Sequence, residues 1–463
     1  MARKDKRELF EKTPVVKAIA VMAIPSIISQ IISLIYSAVD AIFIGSIGNH
    51  FMVAAITVAF PVFLMLIALS NLFGVGGGSL MARLSGRRED DAAKSVSAFS
   101  VYGAFAVSLA YAILVGAFLE PLLRVLGASD DTIGFAKDYT FYTTVLGVVP
   151  SVMAMTASHL LRNAGYSTQA SVGLSGGGIL NIFLDWLFIT RIFPGEGAVK
   201  GAAIATMLSN VASCLYLLVV TLTLSKKTAL TLDPRRIRSI RKKDVRELFR
   251  VGVPSAILTG LFDLGNVALN KLASLHGDPQ LAAMGITMKA ERIPNAVNVG
   301  ICQGMLPIVA YNFASGDHDR MRSVMRTART IGLGVALLSV GLIELFNRPL
   351  VGIFLTTSGK ALADAETTLA FAMTFLGIRC IASPVQFLNY YTSYCLQAMG
   401  DGRDTLLHAV ARILLIYIPL MFLLNSLIGV NGLAWALPAG ELLGAVVAAL
   451  LMRSWLKKHT IPA

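Results

Sequence analysis

Long apolar segments, separated by shorter stretches that collect most of the charged residues, are the feature that most constrains this chain of 463 residues. A membrane-spanning helix needs about 20 predominantly apolar residues. Apolar runs bounded by clusters of charge, glycine and proline predict twelve such helices. Their approximate spans are 17–47, 51–83, 92–119, 132–163, 167–190, 198–224, 245–276, 280–312, 321–347, 362–398, 404–428 and 432–456. We therefore predict an all-α polytopic membrane protein.

The composition agrees with this prediction and excludes a soluble globular protein. Hydrophobic residues make up 55% of the chain and charged residues only 14%, whereas about a quarter of an ordinary soluble domain is charged. The net charge is nevertheless +13, from 40 Lys and Arg against 27 Asp and Glu. In a soluble protein such an excess would suggest nucleic acid as a partner. In a membrane protein it raises the question of which face of the bilayer carries the cations.

The basic residues are distributed unequally between the two sets of predicted loops. With the N-terminus inside, the cytoplasmic segments hold 29 Lys and Arg and the outer loops hold six. Cytoplasmic loops of membrane proteins carry such an excess. We therefore predict a multi-pass protein of the cytoplasmic membrane with both termini in the cytoplasm, and we assign the basic loop 225–250 to topology rather than to a lipid or nucleic-acid contact.

An internal repeat divides the chain into two halves. The motif IPSIISQ at Pro25 matches VPSAILTG at Pro254, LLRNAG matches CLQAMG, and KGAAIA matches NGLAWA, all at offsets between 229 and 235 residues. Because each half has six predicted helices, both insert with the same orientation, as a parallel repeat about an axis along the membrane normal. We predict a six-helix lobe over 1–224, a basic cytoplasmic linker over 225–244, and a second six-helix lobe over 245–463.

Two carboxylates lie well inside the predicted helices of the first lobe. A charged side chain in mid-bilayer costs about 2.5 to 3.5 kcal/mol, so its presence calls for a function. Asp40 in helix 1 and Asp185 in helix 5 each lie about eight or nine residues from the outer end, or roughly 12 to 14 Å. Thr206 in helix 6 lies at a similar depth. Three polar residues on three helices thus share one depth, as a binding site requires.

Asn181 precedes Asp185 by one helical turn, on the same helical face. The cores of helices 1 to 6 contain no basic residue to neutralise the carboxylates. Two nearby carboxylates in a low-dielectric setting would therefore bind a proton, or with Asn181 a sodium ion, to lower their charge. We predict an ion-coupling site at Asp40, Asn181, Asp185 and Thr206. The alternative is that these are unrelated polar residues lining a water-filled cavity.

The second lobe combines both signs of charge within its predicted membrane helices. Its core holds five cations and three anions, which are Lys271, Lys289, Arg292, Arg379, Arg412, Asp263, Glu291 and Glu441. These charges can partly neutralise one another, which favours a structural or gating network over a second ion site. Candidate substrate-binding residues are Gln30, Tyr36, Asp263, Glu291 and Glu441.

Other chemistry is missing from the sequence. No Walker motif is present, and GVGGGS in helix 2 is a run of small residues that favours a close helix contact over a phosphate-binding loop. The four cysteines lie in apolar stretches without metal-ligand spacing. We therefore predict a transporter without a cofactor, not an enzyme, and uphill transport would have to use an ion gradient.

Several motifs, taken in order, resemble the multidrug and toxic compound extrusion (MATE) family of cation-coupled efflux transporters. They are NLFGVGGGSLMARLSG, LLRNAG, GGILNIFLDWLFI, VKGAAIATMLSN, QGMLPIVAYNFASGD and LQAMGDGRDT. The resemblance covers nearly the whole chain and is strongest to the bacterial MepA-like and DNA-damage-inducible branches. It implies two six-helix lobes that alternate between outward and inward openings. It also implies an acidic site in the first lobe that exchanges protons or sodium for drug.

The leading hypothesis is therefore a multidrug antiporter that exports lipophilic, often cationic compounds and acts as a monomer. Bending near Pro25 or Pro254, where a helix hydrogen bond is lost, could link ion binding to the shape of the cavity. One alternative is a flippase for lipid-linked saccharides, although such a protein should present basic residues to pyrophosphate. A second alternative is a membrane receptor or scaffold without transport.

Overall fold

The computed structural model describes residues 3–46, 49–357 and 365–459, and every regular element within these ranges is helical. The first half contains nine α-helices, which are α1 (Arg3–Glu11), α2 (Val15–Ser46), α3 (His50–Gly86), α4 (Asp90–Ala117), α5 (Leu119–Val125), α6 (Asp130–Thr140), α7 (Val148–Asn163), α8 (Ser167–Leu187) and α9 (Ala198–Leu224). Helix-only folds suit a membrane because each helix satisfies its own backbone hydrogen bonds.

The second half contains nine further α-helices. They are α10 (Lys242–Ser274), α11 (Asp278–Ser315), α12 (His318–Leu345), α13 (Asn347–Thr357), α14 (Ala365–Cys380), α15 (Ser383–Met399), α16 (Gly402–Ala409), α17 (Ile418–Ile428) and α18 (Val430–Lys458). Short segments of π-helix interrupt or extend three spans, at Phe141–Leu146, Phe188–Ile192 and Val410–Tyr417. Such π segments are frequent at functional sites.

Ten helices in the described part of the chain are individually long and apolar enough to cross a membrane, and two bent pairs bring the total to twelve spans. The predicted all-α fold with twelve spans is thus confirmed. The predicted span 362–398 is, from residue 365 onward, one bent span, in which the chain turns by 49° between α14 and α15. The predicted helix over 132–163 bends by 47° between its segments. Residues 362–364 lie outside the described ranges.

The two halves repeat one packing pattern. In the first half α3 packs against α4 and α7, α2 against α8, and α8 against α9. In the second half α11 packs against α12 and the bent α14–α15 pair, α10 against α16, and α17 against α18. Both bent spans occupy equivalent places in this pattern. We refer to α2–α9 as the first lobe and to α10–α18 as the second lobe.

The lobes meet along α3 with α10 and α2 with α11, near the end of the bundle that holds both termini. Small residues permit this close approach. A Cβ added at Gly252 would lie 2.0 Å from the Leu72 carbonyl oxygen, and one at Gly76 would lie 2.5 Å from that of Leu248. The GVGGGS run of helix 2 therefore forms a close helix contact, which confirms the prediction from sequence.

Helix α1 and the C-terminal end of α18 lie at the same end of the bundle. Phe10 packs on Tyr311 with ring centroids 5.4 Å apart, and Trp455 packs on Phe313 at 5.5 Å. Both partners belong to the last turns of α11. This arrangement agrees with an even number of spans.

The basic linker is folded against the first lobe. Tyr102 donates a hydrogen bond of 2.9 Å to the Leu232 carbonyl oxygen, and Arg241 pairs with Glu89 at 2.6 Å. The hydrogen bond from Arg241 holds the pKa of the Glu89 carboxyl below its usual value. The linker is thus held at the turn between α3 and α4.

Candidate functional site

Asn181 and Asp185 form the centre of the candidate site on α8. Both side chains are buried, with Asp185 fully inaccessible to solvent. Asn181 Nδ2 donates a hydrogen bond of 3.3 Å to Asp185 Oδ1, as the spacing of one helical turn allows. Asp185 Oδ2 is buried and has no hydrogen-bond partner. An unsatisfied buried carboxylate oxygen is costly and calls for an explanation.

Asp40 on α2 lies near this pair. Helices α2 and α8 pack along one another, and the carboxylates of Asp40 and Asp185 interact electrostatically. Asp40 Oδ1 is also buried without a hydrogen-bond partner. The structure therefore brings together the two carboxylates that the sequence singled out on separate helices.

Two tyrosines surround the carboxylates. Tyr36 lies one turn before Asp40, and its ring packs so closely on α8 that a Cβ at Gly178 would lie 2.8 Å from Tyr36 Cδ1. Tyr139 of α6 is buried and interacts electrostatically with Asp40 and Asp185. Sequence reasoning missed Tyr139, and no motif around it could have identified it.

The remaining first-lobe candidates, Thr206 and Gln30, make no hydrogen bond to the carboxylates among the described residues. The Thr206 side chain is half-buried on α9, and its hydroxyl makes no hydrogen bond to Asp40, Asn181 or Asp185 within the described chain. Gln30 is half-buried on α2, about 15 Å along the helix from Asp40. Their assigned roles stay predictions.

The Asp40–Asp185 pair has no cationic partner. No Lys or Arg within the described ranges forms an ion pair with either carboxylate. Nor do three or more His, Cys, Asp or Glu side chains cluster as metal ligands in the same ranges. Two carboxylates and one amide offer few oxygen ligands compared with a calcium site. The arrangement is chemically suited to a proton or a single monovalent cation.

Glu441 of the second lobe lies in a buried hydrogen-bonded chain. Arg412 Nη2 and Nε donate to Glu441 Oε1 and Oε2 at 2.5 and 2.9 Å. Asn389 Nδ2 donates to Oε2 at 2.6 Å. His408 lies between Asn389 Oδ1 and the Ser393 hydroxyl, at 3.1 and 2.9 Å. Sequence reasoning missed Asn389, His408 and Ser393, although their polar side chains in apolar spans were a usable signal.

Arg379 and Glu291 form another ion pair inside this lobe, through Arg379 Nε and Nη2. The predicted mutual neutralisation of second-lobe charges is therefore confirmed for two pairs. Two of the three carboxylates proposed to contact substrate in this region, Glu291 and Glu441, are thus already paired with arginine, which lowers their attraction for a cation. Asp263 is half-buried and has no ion pair among the described residues.

The proposed hinge prolines lie inside unbroken helices. α2 continues through Pro25 and α10 through Pro254. Near Pro25, the Ser167 hydroxyl donates a hydrogen bond of 2.6 Å to the Met22 carbonyl oxygen. This bond joins the first turn of α8 to α2. A hinge function for either proline stays a prediction.

Comparison with known proteins places this architecture in a family. A family model described as MatE matches residues 25–187 and 254–423, one stretch in each half. The multidrug export protein MepA of Staphylococcus aureus strain MRSA252 is 30% identical over 96% of this chain and 94% of its own length. MepA of strain MSSA476 is 31% identical over the same shares.

Solved structures of similar fold cover the chain almost completely. The structure described as "Crystal structure of MATE in complex with MaL6" aligns with a TM-score of 0.90 at 23% identity, over 97% of this chain and 99% of its own. One described as an "Outward-facing conformation of a multidrug resistance MATE family transporter of the MOP superfamily" aligns at 0.89 and 23%, over 97% and 98%. At this identity the likeness concerns the fold. Together with the family model and the MepA relatives, it confirms the resemblance seen in the sequence: the chain belongs to the MATE family of multidrug efflux transporters.

Proposed function

We propose that this protein is a multidrug antiporter in which an inward-moving proton or sodium ion binds at Asp40 and Asp185 and drives export of a lipophilic, often cationic compound. The observation that carries the proposal is that Asp40 and Asp185 each have a buried carboxylate oxygen without a hydrogen-bond partner, and neither has a countercharge among the described residues. Removing two carboxylates from water without a cation is unfavourable, so the site gains stability when a cation binds. A binding site of this kind can couple an ion gradient to a change of conformation.

Alternating access is supported by how the lobes meet. Their close contacts lie near the end that holds the termini, at Gly76, Gly252 and Gly304. In the other half of α11, Lys289 and Arg292 are exposed although they belong to a membrane span. Charged residues within membrane spans face protein or a water-filled cavity rather than lipid. We infer a water-filled cleft between the lobes that opens away from the termini.

The orientation follows from the basic residues. With 29 Lys and Arg on the side of the termini and six on the other, that side is proposed to face the cytoplasm. The cleft would then open to the outside, and the protein would act as a monomer in the cytoplasmic membrane, without nucleic acid as a partner.

Drug transport by the purified protein in liposomes tests the proposal. Proton and sodium gradients are imposed independently, and Asp40→Asn and Asp185→Asn are compared with Asp131→Asn, an exposed aspartate in the first turn of α6. We expect both site variants to lose gradient-driven transport and Asp131→Asn to retain it. Full transport by both site variants would refute the coupling role. Drug binding with no ion-dependent movement in the wild type would favour a receptor.

A further inference from the structure

A cavity in the second lobe combines features of a ligand site that differs from the carboxylate pair. Its volume is about 150 Å³, and its lining includes Phe262, Asn295, Arg379, Tyr390, Arg412 and Tyr417. A cavity of about this volume holds one benzene ring. The cavity therefore fits the head group of a small molecule rather than a whole drug.

Arg379 provides an unpartnered donor in the lining. The side chain is 4% exposed, and two of its nitrogens bind Glu291. Its third nitrogen, Nη1, is buried and has no acceptor at hydrogen-bonding geometry, although the Tyr417 hydroxyl lies close enough to interact with the guanidinium. An ionised guanidinium pairs best with a carboxylate or a phosphate. The free N–H group thus points to an anionic acceptor.

The charge of the lining favours the same class of ligand. Three arginines and two glutamates line the cavity, which leaves a net charge of one positive unit. Each glutamate already accepts two bonds from an arginine, whereas Arg292 forms no ion pair within the part of the chain that the structure describes. A positive excess in a partly enclosed site attracts anions.

Aromatic side chains form part of the walls of the second-lobe cavity. The Arg412 guanidinium lies 5.0 Å from the Phe262 ring centroid and 4.9 Å from that of Tyr390. Tyr417 contributes a third ring to the lining. Flat aromatic walls favour a flat, aromatic group through stacking and edge contacts.

The lining of the cavity also contains a hydrogen-bond acceptor without a partner. Asn295 Oδ1 is buried in the same lining and has no hydrogen-bond donor. It is available to an N–H or O–H group next to an acid. The cavity thus offers one unused donor on a cation and one unused acceptor on an amide.

We propose that this second-lobe cavity binds the carboxylate head group of an aromatic acid, with Arg379 Nη1 as the principal donor. The site would extend the range of compounds from cations to acids and zwitterions. It does not depend on ion coupling at Asp40 and Asp185, because its residues belong to the other lobe.

Binding is tested with the purified full chain in lipid nanodiscs by saturation-transfer NMR titration, which detects weak ligands. The probes are benzoate and benzamide, which has the same shape without the charge. We expect benzoate to bind about tenfold more tightly than benzamide, as one charge-assisted hydrogen bond predicts. Equal binding of the two probes, or no binding of benzoate, overturns the proposal.

Two variants locate the site. Glu291→Gln removes the negative charge beside Arg379 and is expected to strengthen benzoate binding about threefold or more. Unchanged or weaker binding by this variant overturns the proposal. The double variant Arg379→Gln/Glu291→Gln removes both charges of the pair together and is expected to lose benzoate binding. Elution as a single peak in size-exclusion chromatography checks that this variant is folded. Wild-type affinity in the double variant also overturns it.

Asp185→Asn separates this proposal from the antiport mechanism. Benzoate affinity in this variant is expected to equal that of the wild type, even where gradient-driven transport is lost. A large loss of benzoate affinity in Asp185→Asn would place the acid in the first lobe and overturn the second-lobe site. The antiport proposal can thus fail while benzoate still binds in the second lobe, and the benzoate site can fail while antiport is retained.

Discussion

Glu11 accepts a hydrogen bond of 2.5 Å from the Tyr311 hydroxyl and lies 2.6 Å from Arg88 Nη2. The short helix α1 thereby contacts both lobes at the end where they meet. Arg320 of α12 strengthens the contact by donating to the carbonyl oxygens of Phe10 and Thr13. The N-terminal helix therefore links the two lobes through polar contacts in this conformation.

Loss of the Glu11 carboxylate should weaken the contacts of α1 with the two lobes. We expect Glu11→Ala to shift the equilibrium away from the present conformation by about 1 to 2 kcal/mol, since a buried tyrosine hydroxyl loses its acceptor. Glu8→Ala, an exposed change on the same helix, is the control. The measurement is the rate at which cysteines placed at positions 71 and 259, one on each lobe, are cross-linked by a thiol reagent. Equal rates in Glu11→Ala and Glu8→Ala would contradict the prediction.

Asn71 of the first lobe and Thr259 of the second lobe are in contact where the lobes meet. Asn71 Nδ2 donates a hydrogen bond of 3.0 Å to Thr259 Oγ1 across α3 and α10. The variant Asn71→Cys/Thr259→Cys should cross-link with a short bifunctional thiol reagent and lose transport, because the lobes can no longer separate there. The native cysteines are buried, and each single-cysteine variant is the control. Cross-linked protein with full transport would show that the lobes need not part at this point.

Gly252 should tolerate no side chain at the same contact. A Cβ there would overlap the Leu72 carbonyl oxygen, so Gly252→Ala should destabilise this conformation by about 1 to 3 kcal/mol. The matched control is Gly260→Ala on the same helix, where an added Cβ meets no atom within 4 Å. Cross-linking yield in the 71–259 double-cysteine background measures the effect. A similar yield in both variants would argue against close packing at Gly252.

Breaking the Arg412–Glu441 pair should be more damaging than replacing it. We expect Arg412→Met to lower the free energy of unfolding by about 3 to 5 kcal/mol, because it leaves Glu441 buried without a cation. Arg412→Met/Glu441→Met should recover much of that loss. Thermal unfolding in detergent gives the order of Tm values. The comparison is Arg124→Met, whose exposed pair with Asp130 should contribute less than about 1 kcal/mol.

Asn181 should distinguish the two candidate coupling ions. Sodium needs oxygen ligands, and the amide oxygen of Asn181 is available for one because its nitrogen donates to Asp185. A proton needs only a carboxylate. Asn181→Leu should therefore raise the half-saturating sodium concentration by about tenfold or more and change proton-driven transport little. Equal loss of both activities would indicate that Asn181 supports the structure of α8 instead.

The twelve spans could be predicted from the sequence because a bilayer offers the backbone few alternatives to helices. The Asn181–Asp185 contact followed from helical spacing alone. The bends of 47° and 49° could not be predicted, because a hydrophobic run marks a span without fixing its direction. The short helices α1, α5 and α13 were missed for a related reason, since they are too short to give a membrane signal.

Contacts between helices were decided by the tertiary structure. Helices that are apolar nearly all round carry no periodic signal for their rotation, so the sequence predicted the depth of Asp40 and Asp185 but not their proximity or that of Tyr139. Thr206 shares their predicted depth and makes no hydrogen bond with them. The sequence by itself thus determined the membrane fold, the repeat and which carboxylates are unusual. The tertiary structure decided which of these charges have partners, because pairing depends on the rotation and bending of helices far apart in the chain.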